Sequence, residues 1–148
     1  MVTRRLGERD IAAIARVHRR ACLVAYAFMN WSHSEEEVRA WYAGKFSAWD
    51  WGLVAEVDGR AVGFIATCGA YVDQLFIDPD HQRRGIGTAL LTAALERVPP
   101  AAALTVFKDN RPARRFYERH GFVEVRRFWN PDVNALEMIY ARIGPSAA

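Results

Sequence analysis

Lysine, cysteine and long uncharged apolar runs are what this 148-residue chain has least of. Only Lys45 and Lys108 among its twenty basic residues are lysine, and the arginines are scattered, for a formal net charge of +3. A surface for a long polyanion needs basic residues gathered on one face, so nucleic acid is not an expected partner. The two cysteines, Cys22 and Cys68, sit in apolar segments without metal-ligand spacing. They are expected to be free, buried thiols in a reducing compartment. His18, His33 and His81 have no partner spacing either, and no metal site is indicated. The apolar run from Ile11 to Met29 is broken by Arg16, His18, Arg19 and Arg20, which argues against a membrane span. The opening MVTRRLGERD lacks the apolar core of a signal peptide. A cytoplasmic protein is expected.

What is present suits a globular domain. Hydrophobic residues make up 51% and charged residues 25%, enough for one core and one domain spanning 1–148. No repeat, linker or low-complexity stretch interrupts it.

Val2 to Leu6 reads as a short strand. Asp10 stands as an N-cap before Ile11, Ile14, Ala15, Val17, Cys22 and Val24, an amphipathic helix. Ser34 followed three residues later by Glu37 has the form of a capping box, opening a helix that ends near Gly44. These helices, with Trp31, Trp49 and Trp51, form an aromatic-rich region that serves either core packing or a pocket wall. Trp51 to Val57 and Ala61 to Thr67 alternate as strands around Asp58-Gly59, a two-residue hairpin signal. Gly69-Ala70 precedes another strand, Tyr71 to Ile77. A helix with Ile86, Leu90, Leu91, Ala94, Leu95 and Val98 at helical spacing stops at Pro99-Pro100. Leu104 to Phe107 is a strand, Arg111 to His120 a helix closed by Gly121, and Phe122 to Arg127 and Ala135 to Ala141 two strands joined by a loop at Phe128 to Asp132. Gly144 to Ala148 is expected to fray. The order implies an α/β protein with a mixed sheet.

The stretch Gln82-Arg83-Arg84-Gly85-Ile86-Gly87-Thr88 lies between a strand and a helix. Helix N-termini present free N–H groups and partial positive charge. Glycines allow close approach to the backbone, and arginine suits phosphate oxygens. The loop therefore reads as a pyrophosphate cradle, or else as a tight turn only. A P-loop would need Lys-Ser/Thr after the glycines. A dinucleotide fingerprint would need a third glycine where Leu90 stands.

This motif after Asp78-Pro79-Asp80, together with Asn110-x-x-Ala113-Arg114-Arg115-Phe116-Tyr117-Glu118-x-x-Gly121-Phe122, resembles the Gcn5-related N-acetyltransferases, the GNAT superfamily. The resemblance is clearest from Trp51 to Phe122. It implies a mixed, mostly antiparallel sheet with a splay between the fourth and fifth strands, flanked by helices. It further implies acetyl-CoA as co-substrate, bound by the backbone of Leu75, Phe76 and Ile77, by Gln82, Arg83, Arg84, Gly85, Ile86, Gly87 and Thr88, and by Asn110. Tyr117 then protonates the departing thiolate, in direct transfer to a primary amine within a ternary complex. Asp73 precedes Leu75 by two and is expected to share its face and that of Ile77, as a general base or an amine anchor. A small-molecule acceptor is expected. A lysine or N-terminal protein acetyltransferase and a silent acyl-CoA-binding module are the alternatives. A homodimer is a family-based expectation.

Overall fold

In a computed structural model, residues 1–98 and 101–143 are described. Mostly apolar residues, buried without a break from Ala61 to Thr67 in the middle strand, build three consecutive antiparallel strands, β2 (Trp51–Val57), β3 (Arg60–Cys68) and β4 (Tyr71–Ile77). Asp58 and Gly59 take φ of 53° and 75°, as a two-residue hairpin turn requires. Before them come β1 (Val2–Arg5), α1 (Ile11–Ala25) and α2 (Glu35–Lys45). After them come α3 (Ile86–Arg97), β5 (Ala101–Phe107), α4 (Arg111–Arg119), β6 (Val123–Asn130) and β7 (Ala135–Ile143). The seven strands form one sheet in the order β1-β2-β3-β4-β5-β7-β6. Every neighbouring pair is antiparallel except β4 and β5.

Apolar faces bury on both sides of this sheet. Leu90, Leu91 and Ala94 of α3 pack on Val62, Ile65, Val72, Leu104, Met138 and Tyr140. On the other face, Ile14 and Val17 of α1 and Val38 and Tyr42 of α2 pack on Val54 and Phe64. Trp51 joins the first cluster, while Trp31 and Trp49 lie against the second. All three indoles pack against the core, and the Trp49 ring N–H also donates to Asp73.

The Ser34–Glu37 capping box forms as read, with Ser34 Oγ accepting from the Glu37 N–H and Glu37 Oε1 accepting from the Ser34 N–H, each at 3.1 Å. Other readings need correction. Asp10 occupies the N-cap of α1 without a side-chain cap bond. Its carboxylate turns instead to Arg4, at 2.7 and 2.9 Å, and to the Gly7 N–H at 2.8 Å. A charged bidentate partner outcompetes a lone backbone donor. α2 ends at Lys45, next to Gly44 as expected. The expected loop from Phe128 is strand as far as Asn130, because Phe128, Trp129 and Asn130 find β7 partners in Glu137, Leu136 and Ala135. Cys68 is exposed, at the last residue of β3, whereas Cys22 is buried. The Pro99-Pro100 stop and the 144–148 tail lie outside the described residues. Among the described residues no helix is long and apolar enough to cross a membrane.

His18 is buried among Trp31, Trp41, Tyr42 and Phe76, with ring centroids 4.4–5.9 Å away. Its Nδ1 meets the Tyr42 hydroxyl, which donates onward to Gln74 Oε1 at 3.3 Å. Burial, with a smaller contribution from His33, depresses its pKa to about 4. The unfolded chain therefore takes up a proton near pH 6.5 that the native protein refuses until about pH 4. This contribution to stability is complete above pH 6.5, falls by about 3 kcal/mol as pH drops towards 4, and is then flat. Urea midpoints measured from pH 7 to pH 4 should show this slope, and His18→Gln should remove it.

Candidate active site

Among the described residues β4 and β5 share one ladder pair, between the first residue of β4 and the third of β5. The pairing is Tyr71 with Ala103, and the Ala103 N–H donates to the Ala70 carbonyl at 3.0 Å. A hydroxyl contact of 2.6 Å between Tyr71 and Thr105 closes the same end. Beyond it β4 stays paired with β3 as far as Ile77, and β5 with β7 as far as Phe107. Each strand therefore turns one edge of N–H and C=O groups toward an open gap. Such groups seek a partner.

A bulge shapes β4 within this gap. Ala66 pairs with Gln74 and Thr67 with Val72, which leaves Asp73 as the extra residue. The expected face for Asp73 is thereby overturned. Leu75 and Ile77 pack on the α3 side. The Asp73 carboxylate points to the α2 side, where it accepts from Trp49 Nε1 at 2.8 Å and pairs with Lys45 at 3.2 Å. Gln74 turns the same way, to Tyr42. Two consecutive side chains on one face are what a bulge produces.

At the far end of β4 the chain is pinned before it enters the cradle. The Asp78 N–H donates to the Val62 carbonyl at 2.7 Å, and Arg20 bonds Asp78 at 2.7 Å and Asp80 at 2.9 Å. Burial pushes the Asp78 carboxyl upward, but Arg20 and the Asp80 N–H outweigh it and hold the group below the usual carboxylate range. Gln82 Nε2 donates to the Ile77 carbonyl at 3.2 Å. Gly85 then caps α3 in the left-handed region at φ 81°, where a Cβ would meet nothing within 4 Å. The Ala89 N–H is the first bonded back, to Gly85 at 3.0 Å, so the amides of Ile86, Gly87 and Thr88 have no acceptor in the helix. Arg83, Arg84, Gly85 and Thr88 are exposed, while the Ile86 side chain is core. Gly87 differs from Gly85. A Cβ there would stand 3.4 Å from two atoms of the Phe116 ring and 3.8 Å from Ile77. These are ordinary contact distances, so α3 lies directly against the Phe116 ring of α4 at this point.

Across the gap, Asn110 caps α4, its Oδ1 accepting from the Ala113 N–H at 3.4 Å. Tyr117 follows two turns later, partly buried against Phe116 and Phe122, at 5.3 and 5.7 Å between centroids. Its hydroxyl makes no hydrogen bond among the described residues. Burial above all, then Tyr71, pushes its pKa well above that of an ordinary phenol, so it keeps its proton. The helix is held by Arg114 Nε donating to the Tyr140 hydroxyl (3.0 Å) and that hydroxyl donating to Glu118 (2.7 Å). Its C-terminus closes with the Gly121 N–H on Glu118 and the Phe122 N–H on Tyr117, both 3.1 Å, a Schellman pair. His120 stays at this helix end, its Nδ1 2.8 Å from the Phe116 carbonyl.

The sequence profile of the acetyltransferase (GNAT) family matches residues 16–122. The chain belongs to the GNAT family. The N-acetyltransferase YafP and the peptidyl-lysine N-acetyltransferase YiaC, both of Escherichia coli, are each 34% identical to it. The matches run over 101 and 96 residues, 64% of this chain in each case and 65% and 62% of those proteins. The matches thus span just under two thirds of these relatives. The solution structure of apo-form YjaB from Escherichia coli superposes with a TM-score of 0.79 at 25% identity, covering 98% of this chain and 100% of that one.

Several residues of this GNAT site escape motif reading. Tyr71 and Thr105 close the gap, Lys45 and Trp49 engage Asp73, and Tyr26 lies against Phe107 at 5.0 Å. Each depends on a contact between distant segments, and no local spacing signals it. Gly87→Leu should destabilise by about 1–3 kcal/mol through overpacking on Phe116. Phe116→Leu in the same chain should recover part of that loss, as urea unfolding of both variants and the double variant will measure.

Proposed function

We propose that this chain is an N-acetyltransferase that moves an acetyl group from acetyl-CoA to a primary amine by direct transfer in a ternary complex. The observation that carries the reading is the one-sided gap between β4 and β5, with a free helix N-terminus at its open end and the Tyr117 hydroxyl beside it. Family membership and the activities named for its relatives support acyl transfer.

The residues present fit the co-substrate. The backbone of Leu75, Phe76 and Ile77 offers a strand edge to an extended pantetheine arm; the Phe76 side chain itself is occupied on the α1–α2 face. Gln82 to Thr88 supply amides and guanidiniums for a diphosphate, with the space beyond Gly85 left open. Asn110 keeps its amide nitrogen for the arm while its oxygen caps α4. Bound acetyl-CoA supplies an activated acyl thioester. A β4 N–H stabilises the negative charge developing on the acyl oxygen. As the acceptor nitrogen bonds to the acyl carbon and the carbon–sulfur bond breaks, Tyr117 gives its proton to sulfur, and the amine proton leaves through water. The commitment of Asp73 to Lys45 and Trp49 favours an anchoring role over proton removal.

Acetyl-CoA at about 100 times its Kd should stabilise the protein by about 2.7 kcal/mol, seen as a raised Tm. Replacing Arg83 and Arg84 by Ala should shrink that shift. Tyr117→Phe should lower kcat by about 10²-fold or more while the Kd for acetyl-CoA holds. An unchanged kcat would remove the acid role.

A further inference from the structure

The end of β5 carries a second feature that the cofactor gap does not use. Phe107 and Glu137 are register partners on β5 and β7, so their side chains share one face of the sheet. This is the face of Tyr26, whose ring meets Phe107 edge-on at 5.0 Å, with Phe28 at 6.1 Å from the same ring. Phe28, Lys108 and Ala135, the last of them two residues before Glu137 on β7 and on its face, line a cavity of about 590 Å3. That volume is in the range of small-ligand pockets, about 300–1,000 Å3. Three separate segments therefore join the cavity to Glu137, at the end of β5 where β4 has already diverged.

The chemistry of the walls is mixed in a telling way. Met29 lines the cavity with Phe28, Trp129 and Val133, and the last three are 43%, 55% and 38% exposed. Large apolar side chains left open around one concavity mark a binding surface. The wall charges Lys108 and Asp109 are of opposite sign, and Glu137 is the carboxylate two residues on from Ala135 of the wall. Glu137 is half-buried, and Asn130 Nδ2 donates to its Oε2 at 2.6 Å, which orients the carboxylate and leaves Oε1 without a partner among the described residues. Tyr26 links the two sites. Its ring packs on Phe107, the register partner of Glu137, and burial first, then Cys22, Tyr117 and Glu137, raise its pKa far above the ordinary phenol value.

We propose that the acceptor is a primary alkylamine borne on an apolar body that seats in this cavity, and that Glu137, oriented by Asn130, draws its ammonium group to the mouth of the β4–β5 gap. The assignment rests on the acetyltransferase reading above and adds the acceptor class to it. Glu137 acts on binding rather than on bond making; it is a specificity-determining residue.

The test is calorimetric titration of the CoA-saturated protein with 2-phenylethylamine, paired with initial rates in acetyl-CoA. The wild-type protein should bind and acetylate this amine. It should do so with kcat/KM about ten-fold or more above that for glucosamine, whose body is polar. Glu137→Gln should weaken amine binding and raise its KM about ten-fold, with kcat and the KM for acetyl-CoA within about two-fold. Asn130→Ala, which keeps the carboxylate but frees it, should give a smaller loss in the same direction. Unchanged amine binding in Glu137→Gln, parity with glucosamine, or a strong preference for a lysyl peptide would each overturn the proposal. If acetyl-CoA binds and no amine of this class does, the acceptor assignment falls and the cofactor reading stands. If the amine binds through Glu137 but no acetyl group is transferred, the cavity assignment stands and the acetyltransferase reading falls.

Discussion

One ladder bridge, Tyr71 to Ala103, and the Tyr71–Thr105 hydroxyl contact hold β4 and β5 together, and the rest of the molecule depends on the gap that opens past them. A parallel pair in mid-sheet would ordinarily continue its ladder, since each unmade backbone bond away from water is costly. Here the outer edges of both strands are fully engaged, by β3 on one side and β7 on the other. On the α3 face one core runs across both halves, while α1 and α2 cover the other face of the β2–β4 half. The gap is thus an imposed feature, and its free amides and carbonyls are a standing demand for an extended ligand.

The bulge at Asp73 is the local device beside this gap. It brings two neighbouring side chains, Asp73 and Gln74, onto the α2 side, where Lys45, Trp49 and the Tyr42–His18 pair receive them. A strand edge is useful to a ligand only if it does not shift, and these contacts tie β4 to two helices at that point. On the opposite bank, α4 is fixed by equally specific means. Gly87 lies against the Phe116 ring, Arg114 and Glu118 meet on Tyr140, and the Schellman turn ends the helix. Asn110 and Tyr117 are placed by that anchoring.

Local signals were legible where one short segment carries all the physics. The Ser34–Glu37 box, the Asp58-Gly59 turn, the Gly121 cap and the two strands Trp51–Val57 and Tyr71–Ile77 match their readings because each rests on nearest-neighbour geometry. Asp10 holds the N-cap position as read but gives its carboxylate to Arg4, because that partner belongs to the preceding strand. β6 was cut short because the strand character of Phe128 to Asn130 comes from β7. The face of Asp73 was misjudged because simple alternation fails at a bulge, and the bulge is set by pairing with β3.

By itself, the sequence determined the order of strands and helices, the glycine-bearing loop that starts α3, and the cap and tyrosine of α4. Those follow from periodicity, turn chemistry and motif within a few turns of chain. Only the tertiary structure decided that β4 and β5 part after one pair, that Gly87 lies against Phe116 while Gly85 faces open space, and that Tyr26, Phe107 and Glu137 share a face near a cavity. These depend on which distant surfaces meet, and contact between residues far apart in the chain leaves no period to read.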